Sequence, residues 1–399
     1  MATYTHLSIA IPMMDELENI PTLLQMLRKQ TIQNFSIYIC INQPEAWWNG
    51  NEEEQRICKA NNDTLNLFKT ITDLDIQIID HCTPSHGWNG KKKGVGWARK
   101  ELFSLIASQC SKNELIVSLD ADTTFNNDYF EQLLDSMNQT PKISAIAVPY
   151  YHPLNGNELL DRCMLRYECY MRYYLINLLQ IDNPYAFSAL GSAMVFPLWA
   201  YNRVGGITPL QGGEDFYLMQ KFCKTGRIKL DINTIVKPQG RISHRVPFGT
   251  GPAVAAGLTQ QAEKYPFFAA EGFEAIKQTF DILPTLYEED KETPMTHFLK
   301  EQLHNDDLWS PLRKNFKTRE LFLKGCYERV DGLRILQYLK LFPTGENNFI
   351  KFLSKNNIQY PNDFNFENST IEELNTIRDN LFNLELKLRK EYSSQKKNN

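Results

Sequence analysis

ELIVSLDADTTFNNDYFEQLL, residues 114–134, changes its period half-way through. Leu115, Ile116, Val117, Ser118 and Leu119 form a short apolar run, which reads as a strand buried on both faces. Two aspartates follow at once, Asp120 and Asp122, with one residue between them. Beyond them the apolar residues Tyr129, Phe130, Leu133 and Leu134 recur at helical spacing, so a helix is expected over 128–138. Strand, acidic turn and helix make one βα unit whose charge sits at the carboxyl end of the strand.

The same beat runs through the first half of the chain. HLSIAIP, SIYICI, DIQIID and, after the quoted stretch, ISAIAVP read as further strands. Helical spacing separates them at Leu17–Leu27, 52–68 and 94–107. Strands alternating with helices predict right-handed βαβ units and an α/β fold with a mostly parallel, Rossmann-like sheet flanked by helices. Ligands of such sheets bind outside the carboxyl ends of the strands, where Asp120 and Asp122 lie. Past residue 255 strand-like runs become rare. ILQYLKLF, NFIKFLSKN and TIEELNTIRDNLFNLELKLRKEY read as amphipathic helices. Two domains are therefore expected, 1–255 and a mainly helical 256–399, in line with a length of 399 residues.

Bulk properties remove several classes of function. A formal net charge of -4 supplies no basic field for nucleic acid. The eight cysteines include no C-x-x-C pair and mostly sit in apolar periodic segments, as buried thiols of a reducing compartment do. MATYTHLSIAIP lacks a basic segment followed by an apolar core, so no signal peptide is read and the expected location is the cytoplasm. LLDRCMLRYECYMRYYLINLLQI, residues 159–181, carries Arg162, Arg166, Glu168 and Arg172 and is expected as a long, partly buried helix with no membrane span. Peripheral contact of its tyrosines with a membrane surface stays open.

Asp-x-Asp at a strand end offers hard oxygen ligands for magnesium or manganese, with water and substrate phosphates completing the sphere. The plain alternative is a turn in which Asp122 or Thr123 satisfies backbone donors. A calcium loop counted from Asp120 would need glycine at its sixth position, where Phe125 stands. LDADTT also fits the Asp-x-Asp-x-Thr nucleophile motif of haloacid-dehalogenase-like phosphatases, in which Asp120 would be phosphorylated and Asp122 would protonate the leaving group. That motif belongs on an opening strand with a second acidic metal motif downstream, and neither is seen. There is no G-x-x-x-x-G-K-[ST], and GVGWAR and GTGPAV both break G-x-G-x-x-G at its last glycine.

Five segments in order set the direction: IPMMDELENIPTLLQML, GWNGKKKGVGWARKELF, LDADTTF, GSAMVFPLWAYNRVGGITPLQGGEDFYLMQKFCKTGRI and RISHRVPFGTG. With this order and spacing the chain resembles the family 2 glycosyltransferases of the GT-A fold over residues 5–252. The resemblance implies a nucleotide-sugar donor, UDP or GDP linked, whose diphosphate is held by a divalent metal on Asp120 and Asp122. His244 falls where a third metal ligand or diphosphate contact is found. The Glu214–Asp215 pair, at a helix head after Gly212–Gly213, falls at the base that deprotonates the acceptor hydroxyl, with Asp215 as base and Glu214 assisting the acceptor. Lys93 and Arg99, in the basic loop and first helical turns after the third strand, fall where the nucleotide is contacted, as does Arg245. Pro12 and Glu16 take the place of the family's first βα turn, although PMMDELEN has no Asn before its acidic pair. Asn42 stands where many members carry an Asp that reads uracil or ribose, which puts the usual uridine preference in question. A metal-dependent sugar transfer to an unidentified hydroxyl, inverting in outcome, is the function expected; a retaining transferase on the same fold is the alternative within the class.

Overall fold

The computed structural model describes residues 3–90, 93–140, 142–240 and 265–395. The chain forms two compact units, Met1–Leu160 with Phe187–Ala255, and Asp161–Ala186 with Ala256–Asn399. Residues 161–186, inside the stretch 1–255 that reads as one domain, pack with the second unit.

In the first unit a sheet of seven strands has the order β3-β2-β1-β4-β7-β6-β8. Its strands are β1 (Leu7–Met13), β2 (Phe35–Asn42), β3 (Ile76–His81), β4 (Leu115–Ser118), β6 (Ile143–Ala147), β7 (Met194–Pro197) and β8 (Arg227–Leu230). Parallel pairing joins β3, β2, β1 and β4. β7 alone of the seven is antiparallel, to both β4 and β6, and β8 resumes parallel pairing on β6. β1 and β2 are buried at every residue, which is why their sequences run apolar without alternation. β5 (Thr123–Phe125) pairs separately with β9 (Val236–Pro238). The mostly parallel α/β plan expected from the sequence is present, and a helical region follows it.

The helices of this unit are α1 (Ile20–Arg28), α2 (Glu52–Lys69), α3 (Val95–Gln109), α4 (Tyr129–Gln139), the first residues of α5 (Glu158–Gln180), α6 (Leu198–Arg203) and α7 (Glu214–Thr225). α2 opens on a complete capping box: Asn51 accepts from the Glu54 N–H and Glu54 accepts from the Asn51 N–H. α3 lies across β1 and β2. Pro12 sits inside β1, one step before the turn it was expected to begin. In a strand, residues two apart point their backbone groups the same way. Ala10 O accepts from Leu119 N on the β4 side, so the N–H that Pro12 lacks would face that side beyond the last paired residue, Ser118.

The second unit is helical: most of α5, then α8 (Ala270–Ile282), α9 (Thr296–Leu303), α10 (Ser310–Asn315), α11 (Arg319–Arg329), α12 (Gly332–Leu339), α13 (Glu346–Lys355) and α14 (Ile371–Gln395). The three amphipathic segments read from the sequence are α12, α13 and α14. Aromatic rings fill its centre, with Tyr173 edge-on to Phe267 at 5.3 Å and to Phe352 at 4.8 Å. Two helix charges expected to oppose a membrane span, Glu168 and Arg172 on α5, are fully buried in this unit, bonded to each other and to Arg378 and Glu385 on α14. No described helix is long and apolar enough to cross a membrane.

Candidate active site

Because β1 to β4 run parallel, their carboxyl ends share one edge, and Asp120 and Asp122 occupy it in the turn between β4 and β5. The Thr123 N–H donates to Asp120 O at 3.1 Å and closes the turn. Pairing of Leu119 to Ala10 on one side and of β5 to β9 on the other pins it. Asp120 keeps 37 % of its side chain exposed, and Asp122 is half-buried. β7, being antiparallel, begins at this same edge. Its register with β4 sets Ser118 against Met194, which brings Gly191 and Ser192 level with Asp120.

The third acidic position comes from α7. Gly213 caps that helix with φ +78°, a left-handed conformation that glycine adopts without a Cβ penalty. Glu214 and Asp215 are thereby delivered on the first turn, where the helix N-terminus favours negative charge. They differ sharply in setting. Glu214 is 2 % exposed, whereas Asp215 is half-buried. Asp215 Oδ1 accepts from the Phe216 N–H at 2.7 Å.

Arg99, on the second turn of α3, joins the two acidic elements. Its side chain is 4 % exposed; one terminal nitrogen, Nη2, donates to Asp120 Oδ1 at 2.6 Å and the other, Nη1, donates to Glu214 Oε1. Gly191 backs the guanidinium so closely that a Cβ there would lie 2.1 Å from Nη2. On the same helix, a Cβ at Gly96 would lie 2.3 Å from Leu210 O, so glycine is what lets α3 meet the loop that leads to α7. One cation thus faces Asp120, Glu214 and Asp215. Burial and the adjacent Glu214 carboxylate push the Asp215 carboxyl up to about 7, against the pull of Arg99 and the Phe216 N–H.

The other expected residues spread along the same edge. Asn42 ends β2, is buried, and lies opposite His81 at the end of β3. Behind it, the Asn61 amide donates to Gln43 Oε1 at 2.8 Å and the Gln43 amide donates to Cys82 O at 3.1 Å. Glu16 is buried and accepts from the Asn19 amide at 2.8 Å, in the short turn before α1. Its neighbour Asp15, at φ 59°, takes a two-pronged bond from Arg56. Lys93 is exposed, with Nζ 5.7 Å from the centre of the Trp88 ring and 5.4 Å from that of Trp97. His244 and Arg245 lie outside the described residues.

Residues 115–271 match the family model described as "Glycosyl transferase family group 2". The matched span opens on β4 and contains Asp120, Asp122, Glu214 and Asp215. Over this span the chain is similar to the family 2 glycosyltransferases. No curated protein matches the sequence. Among solved structures, S. aureus TarS 1-349, in complex with UDP-GlcNAc, is similar at 10 % identity over 82 % of this chain and 91 % of its own, with a TM-score of 0.41. The mannosyltransferase PcManGT from Pyrobaculum calidifontis, in complex with GDP-Man and Mn2+, is similar at 11 % identity over 81 % of this chain and 86 % of its own, with a TM-score of 0.38.

Arg99, expected at the nucleotide, is buried with both terminal nitrogens bonded to protein carboxylates. Glu214 is likewise turned inward to Arg99. Sequence reading passed over Gly191, Asn61 and the indoles that hold Lys93. Only the last had a visible signal, the twice-repeated Gly-Trp or Gly-x-Gly-Trp around the lysines in GWNGKKKGVGW. The donor set at the β4 turn suits a hard divalent cation: two partly exposed carboxylates on one pinned turn. Among the described residues no three acidic, histidine or cysteine side chains group as a closed cation site, so Asp120 and Asp122 would supply part of a coordination sphere.

Proposed function

We propose that the domain transfers a sugar from a nucleotide-diphosphate sugar to an acceptor hydroxyl by a single inverting displacement. Asp215 takes the acceptor proton onto its carboxylate as the acceptor oxygen bonds to the anomeric carbon. The bond from that carbon to the diphosphate oxygen breaks on the opposite face, and the nucleoside diphosphate leaves. The setting of Asp215 carries this reading. It is half-buried at a helix head, its carboxyl is pushed up to about 7, and its neighbour Glu214 is tied to Arg99, so of the pair it is Asp215 that is placed to accept a proton near neutral pH.

Asp120 and Asp122 would hold a divalent cation, manganese or magnesium, with His244 as a further ligand. When bound, that cation supplies neutralisation of the charge that grows on the leaving diphosphate. Asn42, Glu16 and Pro12 would serve the base, and Lys93 and Arg245 the phosphates. UDP and GDP donors are both compatible with an uncharged amide at Asn42. All eight cysteines are free thiols, which supports work in the cytoplasm.

The test is Asp215→Asn, in steady-state transfer with a donor found by thermal shift against UDP, GDP and their sugars with and without manganese. Transfer is expected to fall about 10²- to 10⁴-fold while donor affinity stays within about twofold. Near-normal turnover, or a product that keeps the donor's anomeric configuration by NMR, overturns the inverting base mechanism.

A further inference from the structure

We infer that Arg99 is a positioning residue that couples the donor side of the site to the acceptor side, by sharing one guanidinium between Asp120 and Glu214. The inference rests on the reading of Asp120 as a donor-side ligand and goes beyond it. Its ground is an asymmetry. Glu214 is 2 % exposed and Asp120 37 %, so Glu214 has no solvent to turn to while Asp120 has. Arg99 is itself walled in, with Gly191 against its terminal nitrogens and the Gly96 contact holding its helix to the 210 loop. The cation therefore stays where it is, and Asp120 is the partner that can exchange it for another. Anything that loosens the Glu214 bond leaves the guanidinium to Asp120 alone and makes that carboxylate harder to draw away. Glu214 in this sense sets how available Asp120 is to the donor, from a buried position behind Arg99.

A strut that merely staples α3 to α7 would not behave this way. The two are separated by calorimetric titration of the full chain with UDP and with GDP, each in the presence of Mn2+, for the wild type, Glu214→Gln and the double variant Arg99→Gln/Glu214→Gln. Glu214→Gln keeps the shape and removes the charge, and is expected to weaken nucleotide–manganese binding by about tenfold, the size of one charge-assisted hydrogen bond redirected. The double variant has lost both the cation and its fully buried counter-charge, leaves only the partly exposed Asp120 and the half-buried Asp215 without it, and is expected to regain wild-type affinity or better. Arg99→Gln alone would strand Glu214 and is not needed. Unchanged affinity in Glu214→Gln overturns the coupling, as does a double variant that folds and binds as weakly as the single one. Should the double variant fail to melt cooperatively, Glu214→Gln against the wild type still decides. Failure of the wild type to bind either nucleotide with manganese overturns the donor-site reading and the coupling together, whereas tight binding indifferent to Glu214 overturns the coupling alone.

Discussion

Two clusters of carboxylates and arginines, one in each unit, are made from the same groups and end in opposite states. In the second unit Arg172, Arg378 and Arg389 meet Glu168 and Glu385, and all five side chains are at most 1 % exposed. Arg172 Nε donates to Glu168 at 3.1 Å, Arg378 to Glu168 at 3.2 Å and Arg389 to Glu385 at 2.7 Å. Cations are at least as many as anions, and solvent is shut out. In the first unit, among the described residues, one cation, Arg99, serves Asp120, Glu214 and Asp215, and Asp120 keeps 37 % of its side chain exposed. A buried network with its charges matched can only hold helices together. A network short of cations leaves a carboxylate whose proton is loosely decided, and such a group can do chemistry.

The sharpest way to break this contrast is to remove one charge from each side. Asp215→Asn carries the largest expected effect, the loss of transfer given above, with the fold intact. Arg172→Met is next: with Glu168 and Glu385 deprived of a shared partner, unfolding stability should drop by about 3–5 kcal/mol, read from urea denaturation, while nucleotide affinity of the folded protein is unchanged. A drop below about 1 kcal/mol would mean that the matched network is not what holds α5 to α14.

A third measurement sharpens the first-unit half. The Asp215 carboxyl is raised above its unfolded value, so the folded state takes up the extra proton and its advantage fades as pH rises through about 7. Asp215→Asn removes that ionisation. Its melting temperature should therefore gain on the wild type between pH 6 and pH 8, whereas transfer by the wild type should climb over the same range. Asp122→Ala should remove the manganese dependence of nucleotide binding while the fold stays intact. A wild-type activity limb that stays flat from pH 6 to pH 8 would detach Asp215 from proton transfer.

How much of this was legible beforehand follows from range along the chain. β1, β2, β3, β4 and β6, and the helices between them, are each announced by local apolar spacing, and all were readable. β7 and β8 were not, because their four residues each carry too short a pattern, and β7 is a strand only through antiparallel pairing with β4 and β6. At the site, Asp120, Asp122, Glu214 and Asp215 stand in recognisable local settings, a strand end and a glycine-led helix head. What they do to one another is written across 115 residues, the separation of Arg99 from Glu214. No local pattern distinguishes an arginine that will face a phosphate from one that will be buried between two carboxylates. Gly191 is equally mute until Arg99 lies behind it. The charged residues on α5 were legible as a bar to a membrane span, but their partners on α14 lie more than 200 residues on.

The smallest expected effect belongs to a third ion pair, at the opposite edge of the sheet, which sits between the two extremes. His6 Nδ1 lies 2.7 Å from Glu114 Oε1, Ser8 Oγ donates to the same oxygen at 2.8 Å, and the other imidazole nitrogen is 3.3 Å from Ser36 Oγ, which donates in turn to Asp75. His6 is 32 % exposed, and the bond to Glu114 raises its pKa against the cost of burial, with Asp75 adding in the same direction. A group raised in this way stabilises the fold fully below its unfolded pKa near 6.5, and that contribution is lost as pH rises through the higher folded value. His6→Ala should therefore destabilise the protein by at most about 1 kcal/mol at pH 5.5 and by clearly less at pH 8.5, since a half-open pair is screened by solvent. Paired urea melts at the two pH values, with no change expected in nucleotide binding, make the check. Equal losses at both pH values would show that the imidazole contributes by packing and its hydrogen bond to Ser36, and that charge matters in this molecule only where it is closed off from water.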